Sequence, residues 1–592
     1  MDTYTRLVLK ARWPLLIFCV GAVVASLAVL PRLQLDFSIV PLMEASEAER
    51  RQVRQIDRAL PMALMPVTCV LEWPDRLGMQ QLEQLRRFEN ALAETPGVRR
   101  TVSLASVRVV ERAEPVPRAM GFDKLAAEES VAEVVGRHPL LQHRLISNDG
   151  RAAAVVVEGI ESKANFAALE QRARATVPPE ARLRIIGVPP VERAMHQTMV
   201  GDMMRCVGLE SLVYLILLPL FFRTIRGVVI PMAVVLSGLA IYFGLMVALG
   251  WSVSIIETAI PGLIVIIGLC DAVHMLHRFE EERPNCADRT EAVAAMMRGV
   301  GVACLYTSWT TALGFLSLLI APHAAVRDFA VSASVGIAAA WVSVMLLMPV
   351  LLAVWPMKMT GPVRTRRWSL PMFGRPRLTL AVFVLLAAVS VAGTLRVVVD
   401  SHWLEELPRR NEAVQNLRWF EERFGGLLTI DVVIEGDLAD PQAIAAYEQL
   451  AERILAQPGV SHHDAYTQWV RELTARGSEA SAAQLSRAVG AMRWLGNLFP
   501  AHLITPAMDR GRIRFYTLDF GTNRYFQIKS LIEREAAQLP DGLAARVGGF
   551  GLMAHRSSRL VVTTMMRSFG LSAVVITLFV ALAYRSWRIG LM

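Results

Sequence analysis

IETAIPGLIVIIGLCDAVHMLHRFEEE (256–282) is the stretch on which the reading of this chain turns. Its first dozen residues are nearly all apolar, and Asp271 and His274 then arrive before any turn signal. Crossing hydrocarbon takes roughly 20 apolar residues, so the run is a candidate bilayer span. A charge deep in such a span costs ~2.5–3.5 kcal/mol on insertion scales; it normally faces a bundle interior and has a functional reason to be there. Asp271 and His274 stand at i, i+3 and share a helix face. Gly268, three residues earlier on that face, would let another helix approach closely.

The rest of the chain agrees with a membrane reading. It has 592 residues, 54% hydrophobic and 19% charged, with a mean hydropathy of +0.39. Soluble domains carry about a quarter charged residues. Apolar runs at 13–31, 206–222, 228–249, 255–276, 300–320, 329–355, 378–397 and 568–584 make eight candidate spans. The first is long enough to cross and has no small-x-small exit before PRLQLDF, so it is not read as a cleaved signal peptide.

Lys and Arg beside the spans set orientation. Arg6, Lys10 and Arg12 precede the first span; RTIR (223–226) follows the second; Arg278, Arg283, Arg289 and Arg298 lie in 277–298. Lys358, Arg364, Arg366, Arg367, Arg375 and Arg377 lie in 357–377, whereas WSVS (251–254) and APHAAVRD (321–328) hold almost none. The N-terminus is therefore expected in the cytoplasm, with the hydrophilic segments 32–205 and 398–567 outside. The net charge of +9 is then a topology signal and calls for no nucleic acid. Of the six cysteines only Cys69 falls in those segments, so no intrachain disulfide is expected there.

Both hydrophilic segments read strand–helix–strand twice. In the first these are VTCVLEW, QQLEQLRRFENALAE and VRRTVSL, then AAAVVVEGI, FAALEQRARATV and ARLRIIGV. TIDVVIEGD, PQAIAAYEQLAERILA, QPGVSHH and AARVGGF follow the same order in the second. Split β-α-β units of this kind predict ferredoxin-like α+β domains. The halves are an internal repeat. TPGV (95–98) returns as QPGV (457–460), MMRCVGL (203–209) as MMRSFGL (565–571) and FFRTIR (221–226) as AYRSWR (583–588), always 362 residues on. The first copy has six spans and the second has two before Met592. The repeat places a counterpart of Asp271 near position 633, so about four more spans, roughly 130–160 residues, are expected and the chain reads as truncated after its eighth span.

A second polar stripe, YTSWTTALGFLSLL (306–319), crowds Thr307, Ser308, Thr310 and Thr311 into about one and a half turns. Such hydroxyls either bond back to i−4 carbonyls and glue helices together or meet Asp271 across the bundle; the sequence leaves both open. The candidate proton relay is Asp271, His274, Thr307 and Thr311, with Gly268 and Gly314 as close-packing positions. Glu210, in LESLVYLILL near the outer end of the second span, is either a snorkelling interfacial acid or a group that admits substrate. Its repeat counterpart is Ser572. Glu257 lies close to the outer boundary, and His277 reads as interfacial. There is no metal-ligand cluster, P-loop, G-x-S-x-G or Gly-rich nucleotide turn. No metal or other cofactor is expected, ATP-driven transport has no support, and no nucleophile–base arrangement marks an enzyme.

GLCDAVHMLHRFEEE (268–282), followed by YTSWTTALGFLSLL, AAVRDFAVSASVG (324–336) and LLMPVLLAVWP (346–356), resembles the resistance–nodulation–division (RND) superfamily. It resembles the MMPL-type, sterol-sensing-domain-like exporters in particular. VVDSHWLEELPRRNEAVQNLRWFEERFGGLLTIDVVIEG (398–436) is similar to the start of that family's external porter domain. The resemblance implies a polytopic α-helical membrane protein, an RND-type helix bundle that is complete at twelve spans, with two porter domains. It implies proton-motive-force-driven export of hydrophobic or lipid-like substrates from a bacterial inner membrane. The family's essential fourth-span acid maps onto Asp271. Many relatives carry Gly directly before that acid or an aromatic directly after it; here the neighbours are Cys270 and Ala272. ALPMALMPV (59–67) stands where an FGG-like sequence is expected, and the external segments are short for docking onto an outer-membrane channel.

The expected layout is span 1 (1–31), porter domain 1 (32–205), spans 2–6 (206–356), a cytoplasmic linker (357–377), span 7 (378–397), porter domain 2 (398–567) and span 8 (568–592). Expected partners are membrane lipids, a hydrophobic or lipidic substrate, protons, further copies of the chain and a periplasmic lipid carrier. The alternative is a non-transporting member of the same RND and sterol-sensing architecture, a lipid sensor or an accessory to secretion.

Overall fold

A computed structural model describes residues 2–37, 60, 67–111, 118–138, 141–160, 162–355, 376–398, 400–402, 408–426, 428–468, 470, 503–505 and 507–588. The expected linker 357–377 and the ALPMALMPV stretch lie largely outside those residues. The chain forms two compact units: Met1–Leu42, Gln197–Val399 and Leu560–Met592 in one, Met43–His196 and Asp400–Arg559 in the other.

Along the chain, α1 (Asp2–Lys10) and α2 (Arg12–Val29) precede β1 (Gln34–Leu35). An α+β segment follows: β2 (Val67–Glu72), α3 (Met79–Ala93), β3 (Arg100–Val102), β4 (Arg108–Glu111), β5 (Arg118–Gly121), α4 (Phe122–Glu128), α5 (Val131–Arg137), β6 (Ala152–Glu158), α6 (Lys163–Ala175) and β7 (Arg182–Ile186). Then come α7 (Val188–Phe222), α8 (Ile225–Leu249), β8 (Ser252–Val253), α9 (Ile260–Glu282), α10 (Arg289–Leu316), α11 (Ala324–Val354) and α12 (Pro376–Thr394). The second α+β segment holds α13 (Glu412–Phe424), β9 (Leu428–Glu435), α14 (Pro441–Leu455), β10 (Val460–Asp464), β11 (Arg510–Thr517), α15 (Gly521–Ala536) and β12 (Ala544–Gly548), and α16 (Gly549–Ala583) follows it.

Among the described residues, eight helices are long and apolar enough to cross a membrane: α2, α7, α8, the α9 region, α10, α11, α12 and α16. Each of the eight apolar windows falls on one of them. The helices outrun the windows because helical hydrogen bonding continues past the apolar stretch; α7 and α16 each reach 35 residues. Exposed Leu380, Phe383, Val384, Leu385 and Leu386 on α12 give it a surface suited to lipid.

Within the helical unit, α11 is the most deeply packed element. Its buried line Ser332, Gly336, Ala340 and Val344 lets neighbours approach closely. A Cβ on Gly336 would stand 2.9 Å from the Ile264 side chain of α9, and one on Gly238 of α8 would stand 3.1 Å from the Ala340 backbone. The predicted close-packing positions are looser. At Gly268 the nearest neighbour would be a Val235 methyl at 3.4 Å, and at Gly314 the Ser572 hydroxyl at 3.3 Å. Closer helix contacts than the one at Gly268 are therefore set along α11, and at Gly244 of α8, where a Cβ would stand 3.0 Å from the Ser26 backbone of α2.

The other unit holds two four-stranded antiparallel sheets with the same neighbour order, β3-β6-β2-β7 and β10-β11-β9-β12. The repeated PGV explains itself here. Gly97 and Gly459 turn the chain from helix to second strand at φ of +86° and +92°, a region that L side chains rarely adopt. In the first sheet Cys69, Leu71, Val155 and Val157 face the core of α3 and α6, against Leu85, Phe88 and Leu169. Val70, Ala152, Ala154 and Ile186 face the other way, onto Leu417 and Phe424 of α13. Both faces are covered, which is why VTCVLEW shows a continuous apolar run rather than alternation. Arg184 fastens that packing: it donates to Glu72 at 2.9 Å and to Asn416 at 3.2 Å, with its guanidinium 4.3 Å over the Trp419 ring.

The stretch between β3 and β6 carries the β4–β5 ribbon, α4 and α5, none of which the sequence reading anticipated. One signal was available. Ser130 and Glu133 form a reciprocal capping box at the start of α5, with backbone-to-side-chain bonds of 3.2 and 3.0 Å, the S-x-x-E pattern of a helix start.

Candidate functional site

The fourth apolar helix begins at a 3-10 turn, Ile256–Ala259. Glu257 is buried there and accepts from the Ser254 backbone N–H at 2.7 Å, and Pro261 then occupies the first turn of α9, where a missing N–H is tolerated. Three turns further on, Asp271 is only 5% exposed. Its neighbours Leu269, Ala272, Met275 and Leu276 belong to an apolar cluster with Val235, Met296 and Val344.

The partners of Asp271 come from α10. The Ser308 hydroxyl donates to Oδ2 at 3.0 Å. The buried Cys304 thiol is a second side-chain donor to the same carboxyl. Thr307 lies 3.5 Å from Oδ1, but its hydroxyl is also 3.0 Å from the Cys304 carbonyl. A single O–H favours the shorter contact, so Thr307 is a marginal partner. Thr311 donates to the Thr307 carbonyl at 2.7 Å, and Thr310 to the Tyr306 and Thr307 carbonyls. These are the i−4 and i−3 back-bonds that hydroxyls make within a helix. Thr311, expected to meet Asp271, bonds within α10, and Ser308 meets the carboxyl instead, because the 100° step between helix residues turns Ser308 toward α9. Cys304, one turn earlier on the same line, was missed as a donor. The signal was Gly301, Cys304 and Ser308, which recur at helical spacing and are all buried.

His274 is exposed. It lies within electrostatic range of Asp271, and no hydrogen bond joins the two among the described residues. His277 stands 3.4 Å from exposed Glu281, as an interfacial residue would. Gly314 and Ser317 of the α10 region meet α16: the Ser317 hydroxyl reaches the Ser568 carbonyl at 3.2 Å. Glu210, on α7, turns its carboxyl toward Gly262 of α9.

Asp271 therefore meets hydroxyl and thiol donors, with a titratable imidazole nearby, and no Lys or Arg pairs with it among the described residues. Such partners suit either protonation state. A hydroxyl donates to a carboxylate and accepts from a carboxylic acid, so the same atoms can hold the group with or without its proton.

Eight apolar helices of spanning length among the described residues define a multi-pass membrane protein, and the buried acid lies inside one of them. The sequence profile of the MMPL family matches residues 47–396, more than half of the chain. The chain belongs to the MMPL family, within the RND superfamily. It is 27% identical over 177 residues to a protein of Methanocaldococcus jannaschii described as a membrane protein, covering 30% of this chain and 46% of the relative. It is 26% identical over 261 residues to one of Streptomyces coelicolor with the same description, covering 41% and 37%. The chain thus spans less than half the length of these relatives.

Proposed function

We propose that this protein is a secondary transporter of the RND type that uses the proton-motive force to export hydrophobic or lipid-like substrates from a bacterial inner membrane. The observation that carries the reading is Asp271, buried in an apolar helix with neutral donors rather than a cation as its partners. Once neutral, its carboxyl can donate to Ser308; once ionised, it can only accept. The two states favour different packings of α9 against α10, which is the differential interaction that coupling needs. One proton crossing 100 mV supplies about 2.3 kcal/mol, enough to bias a two-state element of that kind.

We read the two sheets as ferredoxin-like porter domains, β-α-β-β-α-β with the second halves interleaved, placed outside the cytoplasm by the Lys and Arg asymmetry. A lipidic substrate, further copies of the chain and a periplasmic carrier are the partners this reading entails. A cysteine introduced at exposed Ser162, with Cys69 replaced, should be labelled by an impermeant thiol reagent in intact spheroplasts; labelling only after lysis defeats the orientation. The central test is Asp271→Asn. It should abolish proton-driven export across an imposed pH gradient while the protein still inserts. Wild-type transport by that variant makes the carboxyl structural and favours the sensing alternative.

A further inference from the structure

We propose that Glu210 is a second proton-carrying residue, an outer station on the route to Asp271. The inference rests on the proton-coupled reading above and extends it. Acids in the outer part of the helical unit are treated differently. Glu257 is taken up by the Ser254 N–H and closes the turn that starts α9. Glu210 is half-buried on α7, and its Oε2 is enclosed with no hydrogen-bond partner among the described residues. The carboxyl lies against Gly262: a Cβ there would stand 2.8 Å from Glu210 Oε1, so a side chain at 262 would compete for the space the carboxyl fills.

Position along the helices supports a route. Gly262 precedes Asp271 by nine residues on α9, ~13 Å of helix rise. Tyr214 follows Glu210 by one turn on the same face of α7. It lies within electrostatic range of both Glu210 and Cys270, and Cys270 directly precedes Asp271. A phenol hydroxyl accepts and donates at once. In this route the proton of the Glu210 carboxyl moves inward past Tyr214 to the Asp271 carboxylate. Glu210 is left ionised, Asp271 neutral and Tyr214 unchanged, and Glu210 regains a proton from external water. With no protein donor on Oε2, that oxygen changes state without losing a hydrogen bond, as a transit group requires.

The test uses the full-length protein in liposomes with trapped pyranine, an imposed pH gradient and a valinomycin-clamped potential. Glu210→Gln should slow acidification of the lumen by about 100-fold, the lower end of what a positioned acid–base group contributes. Glu210→Asp, which keeps a carboxyl, should recover most of that loss, and Asp271→Asn should show no flux. Wild-type flux in Glu210→Gln beside an inactive Asp271→Asn overturns the station and leaves the proposed function standing. Wild-type flux in Asp271→Asn overturns both. A second measurement needs no variant: dicyclohexylcarbodiimide adds to protonated carboxyls in apolar surroundings. Peptide mapping of treated wild-type membranes should find the adduct on Glu210, declining as pH rises. An unmodified Glu210 across that range overturns the proposal.

Discussion

Asp431 and Asp271 are both buried, 2% and 5% exposed, yet they are held in opposite ways. Asp431, on β9, accepts two bonds of 2.7 Å from the Arg514 guanidinium, and Arg512 stands 3.8 Å away. A planar cation gripping both oxygens makes a bidentate, charge-assisted pair. Asp271 meets hydroxyl and thiol donors that serve a carboxylate or a carboxylic acid alike. The difference lies in the sign and number of the partners, since depth of burial is nearly the same, and the role proposed for Asp271 rests on it.

The strongest way to break that comparison is to neutralise both acids. Asp431→Asn takes away the carboxylate that Arg514 grips and Arg512 faces, both guanidinium groups being nearly enclosed. Removing one partner of a buried ion pair costs about 3–5 kcal/mol, so thermal unfolding in detergent should show a large loss of stability or no folded protein at all. Asp271→Asn should stay within about 1 kcal/mol of the parent, since an amide oxygen still accepts from Ser308. Equal losses would mean that the two sites are alike.

A smaller effect separates the hydroxyls of α10. Ser308→Ala removes a donor to the carboxyl and should slow proton-driven transport about tenfold, which corresponds to ~1.4 kcal/mol in the barrier. Thr311→Ala removes only a back-bond to the Thr307 carbonyl and should transport within about twofold of the parent. Transport rates under one imposed gradient check both, and the reverse ranking would restore Thr311 as the partner.

What was legible in the sequence was local. A bilayer span is some 20 consecutive apolar residues, so the helices that cross could be counted from composition alone. The strand–helix–strand order could be read because helix and strand periods differ within a few residues, and PGV marked two turns that need a left-handed glycine. Asp271 stood out because its surroundings in sequence are apolar. What was hidden depends on the orientation of one helix about its axis. Thr307, Ser308 and Thr311 lie within little more than a turn, and only the packing of α10 on α9 decides which one faces the acid. Asp431 was hidden too, since its arginines stand some 80 residues away in sequence and no period links them.

The last expected effect concerns a charge that is excluded rather than used. In the α+β unit, His462 stacks between His143 and Tyr516, with ring centroids 4.8 and 4.3 Å away. The groups that face it are Ser461, whose hydroxyl is 3.0 Å from Nδ1, and His143, Arg144, His463, Asp464 and Tyr516. Arg144 pairs with Asp464, which also accepts from the Tyr516 hydroxyl at 3.1 Å. Burial first, and then the neighbouring His and Arg charges, push His462 down to about 3, against the pull of Asp464. The unfolded chain takes up this proton near pH 6.5, whereas the folded chain takes it up only near pH 3. Between those values the unfolded state binds more protons, so stability falls as the pH drops below about 6.5 and the loss levels off below about 3. The slope from this one group is at most about 1.4 kcal/mol per pH unit. His462→Phe keeps a ring in the stack and removes the titration. Thermal unfolding of the full-length protein between pH 7 and pH 4 should therefore fall less steeply for the variant than for the parent. Parallel curves would show that His462 binds its proton alike in the folded and the unfolded chain, and that the stack carries no proton-linked cost.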